Sequence, residues 1–411
     1  MGSTLDRQTI PLGEVPPTGS RHQGRRSAVA LTDDLVVAGT ADGSVRALDR
    51  ESLTEAWHRS ESEGSVVSAA TTAERIAVGE RGPAGAVRVY DATGDVRWRY
   101  ETARDVGDPQ KDTRFFLPFV VDMTVSGGRL FVATRRYERR GERPEGERRR
   151  FESVVYAFER DGTVAWRYET DGSPIALDTG GGHLAVAYNR CTGDHQRGLV
   201  VLDTGDGSER WSWDPGTDGQ RRVGDVSLLA DGAVVTSHGD YRGYALTEGG
   251  DVRWTADLAT PREIDAETVY AYPNHVHATP EGVLFVTGNT YPEEGRETDV
   301  LHPEEHTAFG YGRAGERRWT EPVGGFASGI DTCGGVVAVP CAQNFRRREA
   351  DVHGCRLFEV GDGHQETIDT AGVATAAAID EDAVAAVEEP VRYHDEGTVR
   401  GDYAVHVVDR S

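Results

Sequence analysis

Lysine is almost missing from this sequence. Lys111 stands alone among 45 basic residues, so arginine carries nearly all the positive charge. Methionine occurs twice and cysteine four times, as Cys191, Cys333, Cys341 and Cys355. Thiols so few and so unevenly spaced exclude a disulfide framework. His302-x-x-x-His306 has no cysteine or carboxylate at the spacing of a structural zinc site, and no metal is expected. No stretch of about 18 apolar residues occurs, which leaves no candidate for a membrane-spanning helix. Met1–Arg21 carries no apolar run of signal-peptide length. The expectation is a soluble, cytoplasmic protein without membrane contact. No Ser-His-Asp or phosphate-loop motif has a fitting context, and no catalytic residue is assigned.

What is present is acid, glycine and a repeat. Sixty-nine acidic residues give a formal net charge of −24. That balance opposes nucleic acid as a general partner, because phosphate binding needs a basic face. Fifty glycines against 17 prolines suit many short strands joined by tight turns. Six of the seven tryptophans recur in one context: ALDRESLTEAW (47–57), VYDATGDVRW (89–98), AFERDGTVAW (157–166), VLDTGDGSERW (201–211), ALTEGGDVRW (245–254) and GYGRAGERRW (310–319). Each reads as a strand end, a polar turn and a short strand ending in Trp. Trp213 follows Trp211 on the same face of its strand.

Two more strand signals precede each string, which makes four antiparallel strands, one blade of a propeller. The fourth copy shows all four, at residues 173–178, 183–187, 198–203 and 209–213. First strands are expected at residues 27–32, 65–71, 120–125, 174–178, 223–229, 276–279, 327–331 and 373–379. The predicted fold is all-β: an eight-bladed β-propeller in one domain, residues 1–411. The last copy lacks its fourth strand, and an orphan strand signal stands at residues 5–12. This amino-terminal strand is expected to complete the last blade and cover its edge, with residues 13–24 as linker.

The Ala-x-Asp-x-x-Thr-Gly-x-x-x-Trp pattern and blade sequences such as VVAGTADGSVRALD (36–49) resemble the quinoprotein-type propeller repeat. That repeat occurs in pyrroloquinoline quinone dehydrogenases and in the outer-membrane assembly lipoprotein of the Bam complex. The resemblance implies that each anchor Trp docks between adjacent blades with its N–H on a backbone carbonyl. Blades seven and eight lack the Trp. The dehydrogenases carry adjacent cysteines and a calcium site, which have no match here, so no cofactor is expected. The lipid-bearing Cys of the Bam protein has no match either. The acidic, lysine-poor composition resembles proteins of halophilic archaea, which stay hydrated where salt screens charge repulsion.

Function is expected at one end. In a four-stranded blade the second-to-third hairpins and the blade connectors share an end, and the long insertions fall there: 102–118, 135–152, 189–197, 257–273, 288–306, 342–354 and 388–401. Long loops on a rigid scaffold carry binding. The expected contacts are Arg26, Arg114, Asn189, Arg190, His238, Tyr241, Arg242, His275, His277, Asn289, Tyr291, Asn344, Arg346, Tyr393 and His394. Arginine suits planar anions. The 135–150 arginines are expected to pair with interleaved glutamates such as Glu138, Glu142, Glu145 and Glu147. The expected role is a non-enzymatic scaffold for a protein partner or a small anionic ligand. A lyase or hydrolase in the central funnel, or a degenerate quinoprotein, remain alternatives.

Overall fold

Short β-branched runs punctuated by glycine turns give a nearly all-strand chain in the computed structural model. It describes residues 7–19, 24–60, 63–72, 74–140, 148–295, 298–344, 348, 350–393 and 397–410. Among these, strand pairing yields seven sheets. One has eight strands and divides at the single pair Phe119–Arg81 into two groups of four. The pairing therefore gives eight antiparallel units, numbered here along the chain, each built on four strands, with a fifth short strand in the sixth and the opening strand of the seventh in two pieces. The opening strands are Ala28–Leu31, Ser65–Thr72, Phe119–Ser126, Gly172–Gly180, Val223–Leu229, Glu267–Ala278, Phe326–Ala327 with Asp331–Cys333, and Val373–Ile379.

Apolar side chains from both faces of each unit reach its neighbours. Eight main core clusters each lie between successive units. Trp57, Val66 and Tyr90 join the first to the second, and Phe309 and Phe358 lie in successive clusters further along. The cluster of Val29, Val36, Ala385 and Val405 joins the eighth unit to the first, so the circuit closes. The closing strand is amino-terminal: Arg7–Pro11 pairs antiparallel with Ala404–Asp409, Gln8 opposite Val407.

The tryptophans dock as the repeat implies. Nε1 of Trp57, Trp166, Trp254 and Trp319 donates to the carbonyls of Ala92, Thr204, Arg313 and Val360 at 2.9–3.1 Å, each in the following unit. Trp98 differs, since its buried Nε1 has no partner among the described residues.

Strand reaches furthest into three segments expected as loops, 135–152, 257–273 and 288–306. The hairpin Arg129–Arg140/Arg148–Phe158 extends well beyond its sheet, because Arg136–Glu138 and Arg150–Glu152 ion pairs and the Tyr137–Phe151 contact support it. Glu142, Glu145 and Glu147 lie outside the described residues. Residues 257–273 fold back through Arg262–Ile264 onto the long strand Glu267–Ala278, and Gly282–Pro292 lengthens to pair with it. The opening strand of the seventh unit is broken between Ala327 and Asp331. Periodicity alone did not separate extended hairpins from polar loops, because two-stranded extensions place polar side chains on both faces.

Candidate functional site

The opening strands of all eight units line a central channel. They hold it by a repeated device. An aspartate in one opening strand accepts the backbone N–H of the next: Asp122 from Leu177 at 2.8 Å, Asp178 from Leu228 at 2.6 Å, Asp225 from Val276 at 3.1 Å and Asp331 from Ile379 at 2.7 Å. Burial pushes the carboxyls of Asp122, Asp178 and Asp331 each up to about 6. This ladder escaped the sequence reading, although its signal was visible as one Asp in each of the apolar segments VVDM, ALDT, GDVS and GIDT.

Arg25 spans the channel. Its Nη2 donates to the Val121 carbonyl at 3.0 Å, and Nη1 lies against Gly329 across the ring. On either side lie cavities of about 700 and 490 Å³, which share Arg25, Asp122 and Asp331. Six expected contact residues, Asn189, His238, His275, His277, Asn289 and Tyr291, line the larger one.

These residues are held tightly. Arg221 donates to Asn189 Oδ1 at 2.6 Å, and Asn189 Nδ2 lies 2.6 Å from His238 Nδ1. Asn189 must therefore donate to Nδ1, which puts the ring proton of neutral His238 on Nε2. Burial, then the charge of Arg221, pulls the His238 pKa down to about 3. His275 uses both nitrogens, Nε2 with the Ala327 carbonyl at 3.0 Å and Nδ1 with Asp225 at 3.4 Å. His277 Nε2 meets the Gly334 carbonyl at 2.8 Å. Asn289 Oδ1 meets His306 Nε2 at 2.8 Å.

Tyr291 belongs to an aromatic group at the mouth. Tyr241, Tyr270, Tyr272 and Tyr291 pack with centroids 4.2–6.1 Å apart, and His238 sits 4.7 Å from Tyr272. All four tyrosines are half-buried. Tyr241 adopts φ 66°, a conformation costly for a bulky residue, which the stacking on Tyr270 holds in place. Tyr270 and Tyr272 were not among the expected contacts, although both fall in the long insertion 257–273; that they come together depends on the strand Glu267–Ala278, which was expected as loop.

The other expected residues that are described lie apart from this cavity. Arg26 is buried on Glu389 at 2.6 Å and ties the linker to the ring. Arg242 pairs with Asp257 at 2.7 Å on an outer edge. Asn344 donates to the Gly324 carbonyl at 2.7 Å. Tyr393 meets His353 at 2.9 Å beneath Arg348 and Arg400. Arg114 and half-buried Arg190 belong to an arginine group around Arg25 and Phe119, and Arg190 pairs by backbone with Arg221. Arg346 and His394 lie outside the described residues. The loop at residues 102–118 presents Phe115, 60% exposed, beside Phe116 and Tyr137.

The residues present do not fit a quinone–calcium centre. The four cysteines are free thiols at non-adjacent positions, and no group of three His, Cys, Asp or Glu able to hold a metal ion occurs among the described residues. No helix is long and apolar enough to cross a membrane.

The chain resembles known propellers throughout its length. Its sequence matches the family described as outer membrane protein assembly factor BamB over residues 20–109 and 84–339. BamB of Moraxella catarrhalis is 16% identical, with a TM-score of 0.54 and 96% of each chain covered. A quinohemoprotein alcohol dehydrogenase from Pseudomonas putida is 10% identical, with a TM-score of 0.56 over 94% of this chain and 75% of that one. The WD40 repeats of RRP9 are 11% identical, with a TM-score of 0.52 over 98% of both chains. No curated protein sequence matches. At these identities the structures speak for the fold, while the sequence match spans most of the chain: it belongs to the BamB family of PQQ-repeat β-propellers.

Proposed function

We propose that residues 1–411 form one eight-bladed propeller domain that acts as a non-enzymatic scaffold and receives a protein partner on the end bearing the long connections. The observation that carries this reading is the half-buried group of Tyr241, Tyr270, Tyr272 and Tyr291 at the channel mouth. Tyrosine offers wide, rigid contact area with a hydroxyl that tolerates water, and it is enriched where protein partners are gripped. Exposed Phe115 supplies a second apolar point in the same set of connections. A family described as an assembly factor accords with a protein-binding role.

Two of the funnel histidines, His238 and His275, are poorly placed to act as general bases. A general base needs a lone pair facing the substrate. His275 has both nitrogens engaged, and His238 turns its only lone pair to Asn189. The test is affinity capture from native lysate with the wild-type chain and with Tyr270→Ala/Tyr291→Ala, each checked by circular dichroism. Proteins retained by the wild type and lost with the folded variant support the reading. An unchanged set of captured proteins overturns it.

A further inference from the structure

Four arginines meet at the long-loop end where the first three units adjoin. Arg25 precedes the opening strand of the first unit, and Arg81 ends the second strand of the second. Arg114 lies in the connection between the second and third units, and Arg135 sits in the second strand of the third. Phe119 organises two of them: the Arg81 guanidinium stacks 3.6 Å from its ring centroid, and that of Arg135 lies 5.3 Å from it. Arg114 donates to the Arg25 carbonyl, and Arg135 to Ser173 Oγ and to the Pro174 carbonyl. Gly24, at φ 60°, leaves open the point where a side chain would begin. Arg81 Nη1 and Arg114 Nη2 both close on that point, at 3.6 and 3.7 Å.

Among the described residues none of these four forms an ion pair with a carboxylate, whereas arginines elsewhere do so repeatedly, as in Arg50–Asp380 and Arg129–Glu159. Acid is not scarce, with 69 Asp and Glu against 45 basic residues. The carboxylates that act on these arginines are committed elsewhere: Glu389, which acts on Arg114, is bonded to Arg26, and Asp122, on which Arg25 acts, to the Leu177 N–H. Burial and then the neighbouring arginines weaken the hold of Arg81 and Arg135 on their protons. Crowded, desolvated cations without counter-charge stabilise an incoming anion strongly. Guanidinium forks match phosphate and carboxylate oxygens two at a time.

We infer that Arg25, Arg81, Arg114 and Arg135 form a binding site for a small, multiply charged oxyanion, with Phe119 as the platform that fixes the forks of Arg81 and Arg135. The site is separate from the tyrosine group and stands whether or not a protein docks there.

The experiment is titration calorimetry with pyrophosphate and with citrate at fixed ionic strength, with thermal unfolding in parallel. At least one probe is expected to bind and to raise the melting temperature. Tighter pyrophosphate assigns a phosphate ligand, and tighter citrate a carboxylate one. Arg135→Gln is expected to weaken binding at least tenfold, while Arg242→Gln, whose arginine is paired with Asp257, leaves it unchanged. Gly24→Asp places a carboxylate between Arg81 and Arg114, in a conformation aspartate tolerates. It is expected to raise the melting temperature of the free protein and to abolish binding. Failure of both probes at millimolar concentration overturns the inference, as does undiminished binding to folded Gly24→Asp or Arg135→Gln.

Discussion

The carboxylate of Glu389 lies 2.6 Å from the guanidinium of Arg26, with both side chains withdrawn from solvent. Glu389 also accepts from Ser27 at 2.8 Å, Thr375 at 3.0 Å and Thr18 at 3.2 Å. One carboxylate thus holds the linker, the first unit and the eighth together. Removing it strands a buried cation. Glu389→Ala is expected to lower unfolding free energy by about 3–5 kcal/mol, measured in urea. Arg26→Met/Glu389→Leu removes both charges and is expected to recover most of that loss. A double variant as unstable as Glu389→Ala would show that the cost comes from packing rather than from the unpaired charge.

The strand Arg7–Pro11 covers the outer edge of Ala404–Asp409, and Leu12 enters the core that closes the circuit. Deleting residues 1–12 uncovers a row of backbone donors and acceptors and leaves that cluster incomplete. Open strand edges pair with other chains. The truncated protein is expected to melt lower and to elute from gel filtration as concentration-dependent oligomers. A synthetic peptide of residues 1–12 is expected to restore the elution of the full chain. A truncation that stays monomeric with unchanged melting would show that the strand contributes nothing to closure.

That closing strand was legible from residues 5–12 because the last copy of the repeat is one strand short. The repeat was legible for a related reason: Trp166, Trp254 and Trp319 each sit four residues past a glycine of the turn, and Trp57 four past Leu53, which takes the same left-handed backbone, while the docking followed from the family resemblance. The candidate site was legible only in part. Asn189, His238, Asn289 and Tyr291 reach the cavity from the long-loop end of their strands, while His275 and His277 line it from further along the opening strand, His277 beside the short turns, where it meets the Gly334 carbonyl. Arg26 and Arg25 are neighbours with opposite fates, one buried on Glu389 and one spanning the channel. Strand alternation separates them, but no strand signal covers residues 24–26 to set the phase. Arg81 and Arg135 were invisible as partners because their meeting at Phe119 depends on how two units adjoin.

Gly94 turns at φ 81°, and a Cβ there would stand 2.6 Å from Cδ2 of Trp57 in the preceding unit. Gly181 has φ 59° with nothing within 4 Å. Both alanine variants carry the left-handed backbone cost of about 1–2 kcal/mol. Gly94→Ala also displaces an anchor ring, for a further 1–3 kcal/mol, roughly the cost of overpacking. In a Trp57→Ala background this excess is expected to vanish, which a double-mutant cycle measures. An excess that persists without the ring would sink the assignment of Gly94 as the seat of Trp57.

The channel aspartates set a pH dependence of uncommon sign. Burial raises Asp122, Asp178 and Asp331 from the usual 3.8 to about 6, partly offset at Asp178 by the N–H groups of Leu228 and Thr179. The folded chain therefore holds these protons more tightly than the unfolded chain. Their contribution to stability is full below the unfolded value and fades as pH rises through about 6. Asp178→Asn keeps an oxygen for the Leu228 N–H and removes the titration. The variant is expected to gain on the wild type as pH rises from about 4 to above 6, by roughly 1–3 kcal/mol. Urea midpoints at several pH values read that difference, and other carboxylates cancel because they titrate in both proteins. Stability curves that run parallel across this range would mean that Asp178 is already ionised in the folded channel at low pH, held by its two N–H donors rather than neutralised by burial.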